Sequence, residues 1–269
     1  MLIGFAISPG RVKVTGGAAA FDADAQAFFT AASITDSTQK SAVNQLVLDL
    51  KSYNIWTKIK ALYPIVGGSA SSHAVNLKTP GTYNLTFATG VTHSSTGMTG
   101  NGTSGYANTQ FNTSTQSTLN NTHLSFYSRT NLENSSIDAG NSNAAGTQWL
   151  LATRFTSVGA ISDQYNSTTG RLTATNTNSQ GFYIQSRTAS NVHKLFKNGS
   201  QLGTTNTGAS GSLLNLNMTL LCQNQNGTPA SYSIRQCAFA SIGDGLTDAE
   251  SSNFYTAVNT YQTTLSRNV

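Results

Sequence analysis

Charged residues are scarce in this chain. Only 9% of its 269 residues are Asp, Glu, Lys or Arg, against about 25% in an average soluble protein. Ser, Thr, Asn and Gly replace them, and a surface of hydroxyls and amides suits strands and tight turns better than exposed helices. Apolar and aromatic residues recur throughout the chain at strand-like intervals, which excludes a disordered protein. The composition predicts a folded, weakly charged, β-rich protein.

The few charges present do not form a nucleic-acid site. The net charge is +5, but the basic residues cluster only at Lys51, Lys58 and Lys60, with a lesser pair at Lys194 and Lys197. The others are scattered, without a basic stripe or a nucleic-acid-binding motif. We interpret these lysines as a solvated face and expect no nucleic-acid partner.

Long apolar runs are also missing. None approaches the roughly 18 residues of a membrane-spanning helix, so no membrane partner is expected. Residues 1–8 are apolar, but no basic segment precedes them, and a signal peptide is not predicted. Synthesis in a cytoplasm is the expectation that follows.

Cysteine is nearly absent. Cys222 and Cys237 alone do not make the disulfide framework of a small secreted domain. They are equidistant from a turn predicted at 228–230, so a hairpin centred there would place them opposite each other. We favour a buried pair of thiols, with a disulfide as the alternative. A metal site would need further ligands beside the two cysteines, and none has suitable spacing. Neither a metal nor another cofactor is therefore expected.

The first 62 residues divide into two segments. Residues 1–21 predict an extended arm with a glycine-rich join, either a disordered terminus or an attachment segment that docks on a larger assembly. Residues 22–62 predict helices: Asp22 or Asp24 caps the first, residues 35–37 cap the second, and apolar residues recur at helical spacing. Trp56 is predicted to be a core residue, and Pro64 to stop the last helix.

From residue 63 to about 243 the pattern changes to short strands separated by Gly, Asn, Ser and Thr. Such a series predicts a two-sheet sandwich or jelly roll, and Asn198 with Gly199 is a strong hairpin signal. The predicted strands cover residues 74–78, 85–89, 105–111, 123–130, 148–155, 161–165, 181–187, 192–197, 213–223 and 231–242.

A capped helix is predicted to close the chain. Thr247 and Glu250 have the spacing of a capping box. Beyond them, apolar residues at helical spacing form one face, namely Phe254, Val258, Tyr261 and Leu265.

Five further segments complete the pattern: IWTKIKALYP (55–64), GVTHSS (90–95), NGTSGYANT (101–109), NTHLSFYSR (121–129) and IGDGLTDAE (242–250). Together with the hairpin at Asn198, they resemble bacteriophage virion structural proteins with a concanavalin A-like, laminin-G-like jelly-roll domain. The resemblance extends over residues 22–265. It implies a mainly β, two-sheet jelly-roll sandwich over 63–269, preceded by a small helical segment and closed by a C-terminal helix.

Glucanases of this fold, as the resemblance implies, need closely spaced carboxylates on one strand. The acids of the predicted sandwich are Glu133, Asp138, Asp163 and, at its edge, Asp244, and no two share a strand face at i, i+2. We interpret Glu133 and Asp138 as solvated turn residues. No Gly-x-Ser-x-Gly elbow surrounds a serine. No catalytic residue is therefore assigned, and an enzyme is not predicted.

Metal binding is not predicted either. The resemblance to laminin-G domains raises a calcium site, for which Asp138 or Asp163 could serve, but neither lies in an acidic cluster. The four histidines are too scattered for a metal triad, and His93 and His123 are predicted to hydrogen-bond within the sandwich.

Binding to sugars is the remaining chemistry, because amides, hydroxyls and aromatic faces suit neutral saccharides. Tyr106, Trp149, Tyr165 and Tyr183 are candidate glycan-stacking residues, although core packing is the favoured interpretation of each.

The resemblance, taken with the helical segment before the sandwich and the lack of a catalytic set in the sequence, implies a non-enzymatic structural component of a phage virion: a head fibre, a capsid decoration or a tail fibre or spike subunit. We expect it to be made in the host bacterial cytoplasm and located in the virion, to contact capsid, portal or tail proteins through residues 1–62, and to form a homo-oligomer. Surface glycans are possible ligands of the displayed sandwich. The alternative is a polysaccharide-binding or polysaccharide-degrading enzyme of the same fold.

Overall fold

The computed structural model of the protein describes residues 20–167 and 170–269. They form three layers: a group of helices, a first sheet (sheet A) and a second sheet (sheet B). The predicted mainly β, two-sheet sandwich with a C-terminal helix is confirmed. The predicted arm over 1–21 falls almost entirely on residues 1–19, which lie outside the described residues.

The element bounds follow the chain. The helices are α1 (Ala23–Ala31), α2 (Ser37–Ser52), α3 (Ala70–Ala74), α4 (Thr113–Gln116) and α5 (Asp248–Thr264). The strands are β1 (Ile59–Tyr63), β2 (Thr86–Phe87), β3 (Thr92–Ser94), β4 (Gly97–Thr99), β5 (Ala107–Asn112), β6 (Thr122–Ser128), β7 (Ala139–Ser142), β8 (Gln148–Phe155), β9 (Gly159–Asn166), β10 (Leu172–Ala174), β11 (Gly181–Ala189), β12 (Val192–Lys197), β13 (Ser200–Gln201), β14 (Asn217–Leu220), β15 (Gln223–Gln225), β16 (Thr228–Ala230) and β17 (Cys237–Gly243).

Both sheets contain non-consecutive neighbours, as in a jelly roll. Sheet A has the order β13-β12-β11-β6-β17-β4-β3, with β1 paired to β17. Sheet B has the order β10-β9-β8-β7-β14-β5-β2, with the β15–β16 hairpin joined to β7. The described pairs are antiparallel except β15 with β7.

The central strands of sheet A are buried on both faces. On β6, Phe126 packs into the core between the sheets, whereas Tyr127 packs into the helical layer. The alternation follows from the two-residue period of a strand. Both β6 and β17 are buried at every position, so neither strand has a face in contact with solvent.

Helices α1, α2 and α5 cover the outer face of sheet A. Phe254 of α5 contacts Phe182 and Phe239 of the sheet edge-to-face, with ring centroids 5.2 and 5.9 Å apart. The capping box of α5 is confirmed, since Thr247 and Glu250 each accept the other's backbone N–H. None of the helices in the described ranges is long and apolar enough to cross a membrane.

The predicted helical segment 22–62 is only partly correct. Asp22 caps α1 and Asp36 caps α2 as expected, but α2 ends at Ser52. After a left-handed Asn54 (φ 58°) and a short 3-10 turn, β1 begins and pairs with β17. The helical spacing of residues 59–62 was misleading, because a strand that is buried on both faces is apolar at consecutive positions.

Most predicted strands are present. Segments 148–155 and 192–197 match β8 and β12 at both ends, and Asn198 with Gly199 forms the predicted hairpin turn, with φ of 49° and 78°. The prediction of a strand over 74–78 is wrong, because α3 ends there. Strand β7 was not predicted, because its sequence of small residues is typical of a turn.

The cysteines do not face each other. The β15–β16 hairpin pairs Gln223 with Ala230 in sheet B, whereas Cys237 lies in sheet A and pairs with Ser128 and Met98. Both thiols are free and buried. Their burial is confirmed, and their opposition across a hairpin is wrong.

Candidate functional site

A groove of about 570 Å³ lies on the outer face of sheet B. On β8, Trp149 and Leu151 point into the core, so Leu150 and Ala152 point outward. Leu150, Ile161 and Ile137 form an almost fully buried apolar floor, and Phe155 is its half-buried member. Leu150, Phe155 and Ile161 lie on the paired strands β8 and β9, and sites built on strands hold their side chains more precisely than sites on loops.

Amides and hydroxyls surround this floor. They come from the ends of β7 and β8 and from the β15–β16 hairpin, where loops present polar groups at the edge of a sheet. Such side chains both donate and accept hydrogen bonds. The polar lining residues are Ser142, Asn143, Gln148, Arg171, Gln223, Gln225, Asn226 and Ser231.

Sequence reasoning did not find these residues. Asn, Gln and Ser are frequent throughout the chain, so no local pattern distinguished the groove residues from ordinary turns. Only the packing of β7 beside β8 and β15 brings Ser142, Gln148 and Gln223 together.

Arg171 is the one ionisable side chain among the described residues that line the groove. Its Nε and Nη2 donate to Asp163 Oδ2 over 2.9 and 2.6 Å, and Nη2 also donates to Gln148 Oε1 over 2.9 Å. Asn166 Nδ2 donates to Asp163 Oδ1. Asp163 is fully buried, and this burial raises the pKa of its carboxyl, against the opposing effect of Arg171.

Asp138 is buried as well, and its predicted solvated position is wrong. Its Oδ1 accepts from Arg235 Nη1 and Ser233 Oγ, and its Oδ2 accepts from the backbone N–H and hydroxyl of Thr153. These four bonds compensate the carboxylate's desolvation. The pairing of Asp138 with Arg235 is not evident from the sequence, because Arg235 lies 97 positions away.

The remaining acids of the sandwich are also held by basic residues. Glu133 is 40% exposed, in agreement with its predicted solvation, and it pairs with Arg154 at 2.9 Å. Asp244 pairs with Lys60 at 2.8 Å. Neither of these acids lines the groove.

Three of the four candidate stacking residues are not accessible. Trp149, Tyr165 and Tyr183 are 0% exposed and belong to the core between the sheets, with the Trp149 and Tyr165 rings 4.9 Å apart. A stacking role for them does not fit this structure. Tyr106 is half-buried, 6.3 Å from Tyr232, and it does not line the groove.

The histidines serve internal hydrogen bonds. His123 bonds the Asp244 carbonyl and the Ser241 hydroxyl, and His93 bonds His73 through their Nδ1 atoms at 2.9 Å, as predicted for His93 and His123. Across residues 20–167 and 170–269, no group of three or more His, Cys, Asp or Glu side chains is placed to hold a metal ion.

Comparison with known proteins finds likeness at the level of structure. No family model and no curated protein sequence matches the chain. A structure of botulinum neurotoxin type C, described by its dependence on two ganglioside molecules for cell entry, matches with a TM-score of 0.50 and 10% identity over 77% of this chain and 53% of the neurotoxin chain.

Two sugar-active proteins match less well. Domain 4 of AbnA, an extracellular arabinanase from Geobacillus stearothermophilus in complex with arabinotriose, has a TM-score of 0.49 and 12% identity over 73% of this chain and 98% of that domain. Trypanosoma rangeli sialidase has a TM-score of 0.47 and 9% identity over 80% of this chain and 38% of the sialidase chain. The chain thus spans about half of the neurotoxin chain and less of the sialidase. At these identities the likeness to the neurotoxin structure concerns the fold alone, a two-sheet β-sandwich.

Proposed function

We propose that the protein is a non-enzymatic phage virion component whose sandwich binds saccharides in the groove of sheet B. The groove itself is the observation that carries this proposal. The half-buried ring of Phe155 offers an apolar surface to the C–H face of a sugar ring, and the surrounding amides and hydroxyls match the ring's hydroxyl groups.

The groove's lining favours binding over hydrolysis. Glycoside hydrolysis uses two carboxyl groups that flank the scissile bond, and none of the described lining residues is Asp or Glu. The nearby Asp163 has both oxygens engaged beneath Arg171 and Asn166, which leaves it unsuited to proton transfer.

The layer order supports display from a virion. The helices cover sheet A, and the groove opens on the far face of sheet B. Attachment through residues 1–62 to capsid, portal or tail proteins would therefore leave the groove facing outward. The virion setting itself rests on the sequence resemblance, and a homo-oligomer is part of the same proposal.

A blocking variant tests saccharide binding. Ala144 lines the groove and is exposed, so Ala144→Trp would fill the groove without removing a buried contact. Ala145→Trp is the matched control, since the adjacent Ala145 is exposed and does not line the groove. On a glycan array we expect binding by the native protein and by Ala145→Trp, and its loss in Ala144→Trp.

Two results would overturn the proposal. Absence of the protein from purified virions of the encoding phage, by mass spectrometry, would exclude the virion role. Release of reducing sugar from a bound polysaccharide, abolished by Ala144→Trp, would favour the polysaccharide-degrading alternative.

A further inference from the structure

The orientation of Arg171 distinguishes it from a solvated surface arginine. Asp163 lies beneath it with 0% side-chain exposure, whereas Arg171 itself remains 23% exposed. Nε and Nη2 both bond Asp163 Oδ2, so one edge of the guanidinium is held by Asp163 and Nη1 lies on its other side. The planar guanidinium is thereby fixed before any ligand arrives.

Two donors remain free at this point. Among the described residues, no group accepts a hydrogen bond from Arg171 Nη1. Gln148 Oε1 accepts from Arg171 Nη2, which assigns the amide's orientation and leaves Gln148 Nε2 without an acceptor among the same residues. Two hydrogen-bonded side chains that line the groove therefore each have an unpaired donor, and the described lining contains no competing carboxylate.

Charge adds to this donor geometry. The negative end of the Arg171–Asp163 pair is buried, and its positive end faces the groove. The Asp163 oxygens are already occupied by Arg171 and Asn166. A planar acceptor with a negative charge is the group that best complements a fixed guanidinium edge.

We propose that the groove selects saccharides that carry a carboxylate, of the uronic-acid class, and that this carboxylate binds Arg171 Nη1 and Gln148 Nε2. The inference rests on the proposed saccharide-binding function and specifies its ligand class.

The experiment compares two matched ligands by isothermal titration calorimetry. One is an oligogalacturonate, and the other is the same oligosaccharide after reduction of its carboxyl groups to hydroxymethyl groups. We expect the native protein to bind the acidic form about tenfold to a hundredfold more tightly, the range for one charge-assisted hydrogen-bonded contact.

Variants assign the preference to Arg171. Arg171→Gln alone would leave the buried Asp163 without its main partner, so the double variant Asp163→Asn with Arg171→Gln is used to keep the interior neutral. We expect it to lose the preference for the acidic ligand and keep its affinity for the reduced one. Arg154→Gln, which alters an arginine outside the groove, is the control and should behave as the native protein.

The outcomes separate the two proposals. Equal affinity of the native protein for both ligands would overturn the acidic preference and leave saccharide binding intact. An acidic preference that survives in the double variant would overturn the assignment to Arg171. Binding of neither these nor other saccharides on the array would overturn the proposed function together with this inference.

Discussion

Arg235 Nη1 lies 2.9 Å from Asp138 Oδ1, and both side chains are fully buried. Arg235 also donates from Nε to the Leu132 carbonyl and from Nη1 to Ser136 Oγ. The pair thus links the segment before β17 to the loop before β7, a connection between distant parts of the chain.

Removing one member of this pair should be costly. We expect Arg235→Met to lower the free energy of unfolding by about 3–5 kcal/mol, because Asp138 would remain as an uncompensated buried charge. Urea denaturation followed by circular dichroism measures the change. The double variant Arg235→Met with Asp138→Asn should recover much of the loss, and a double variant as unstable as the single one would contradict this explanation.

Mild acid should destabilise the protein through its buried histidines. Burial lowers the pKa of His73 and His193 to about 3 and that of His123 to about 4, whereas histidines of an unfolded chain titrate near pH 6.5. Below about pH 6.5 the unfolded state binds more protons, so the free energy of unfolding falls as the pH falls towards 4.

The slope of this dependence gives the test. Each such histidine contributes up to about 1.4 kcal/mol per pH unit within that window. Urea denaturation at pH 7.5, 6.0 and 5.0 should show the decline, and His123→Gln should make it shallower. A stability that stays constant from pH 7.5 to 5.0 would contradict the burial of neutral imidazoles.

The capping box of α5 should contribute measurably to stability. Thr247 Oγ1 accepts from the Glu250 backbone N–H, and Glu250 Oε2 accepts from that of Thr247. We expect Thr247→Ala to lower the free energy of unfolding by about 1 kcal/mol. Thr256→Ala, at an exposed position within the same helix, is the control and should change it by less than about 0.5 kcal/mol.

The two thiols should be unreactive in the folded protein. Burial raises the pKa of Cys222 to about 12 and that of Cys237 further, so almost no thiolate is present at pH 8. Ellman's reagent should detect no thiol in the native protein and two after denaturation. A native intact mass lower by two hydrogens would instead show the disulfide that the sequence left open.

Local signals in the sequence predicted local structure well. The Asn198–Gly199 turn needs two residues that adopt positive φ, and the caps at Asp22, Asp36 and Thr247 need only a side-chain oxygen at the right position. Such features depend on residues within a few positions of each other, so the sequence displays them directly.

Features that depend on distant partners were predicted poorly. The strand character of residues 59–63 arises from pairing with β17, about 180 positions later. Asp138 was predicted to be a solvated turn residue because its buried partner, Arg235, is distant in the sequence. For Trp149 and Tyr165 the sequence favoured core packing but left glycan stacking as a candidate role, because the sheet face of each side chain depends on strand pairing.

The sequence, with its few charges and its many Ser, Thr, Asn and Gly residues, determined that the protein is β-rich and turn-rich. It could not show where a ligand would bind, because the same amides and hydroxyls occupy turns, edges and groove alike. Only the tertiary structure set Leu150 and Ile161 beneath Gln148 and Arg171. The physical reason is that a groove is formed by sheet order and strand face, and both are decided by pairing between distant strands.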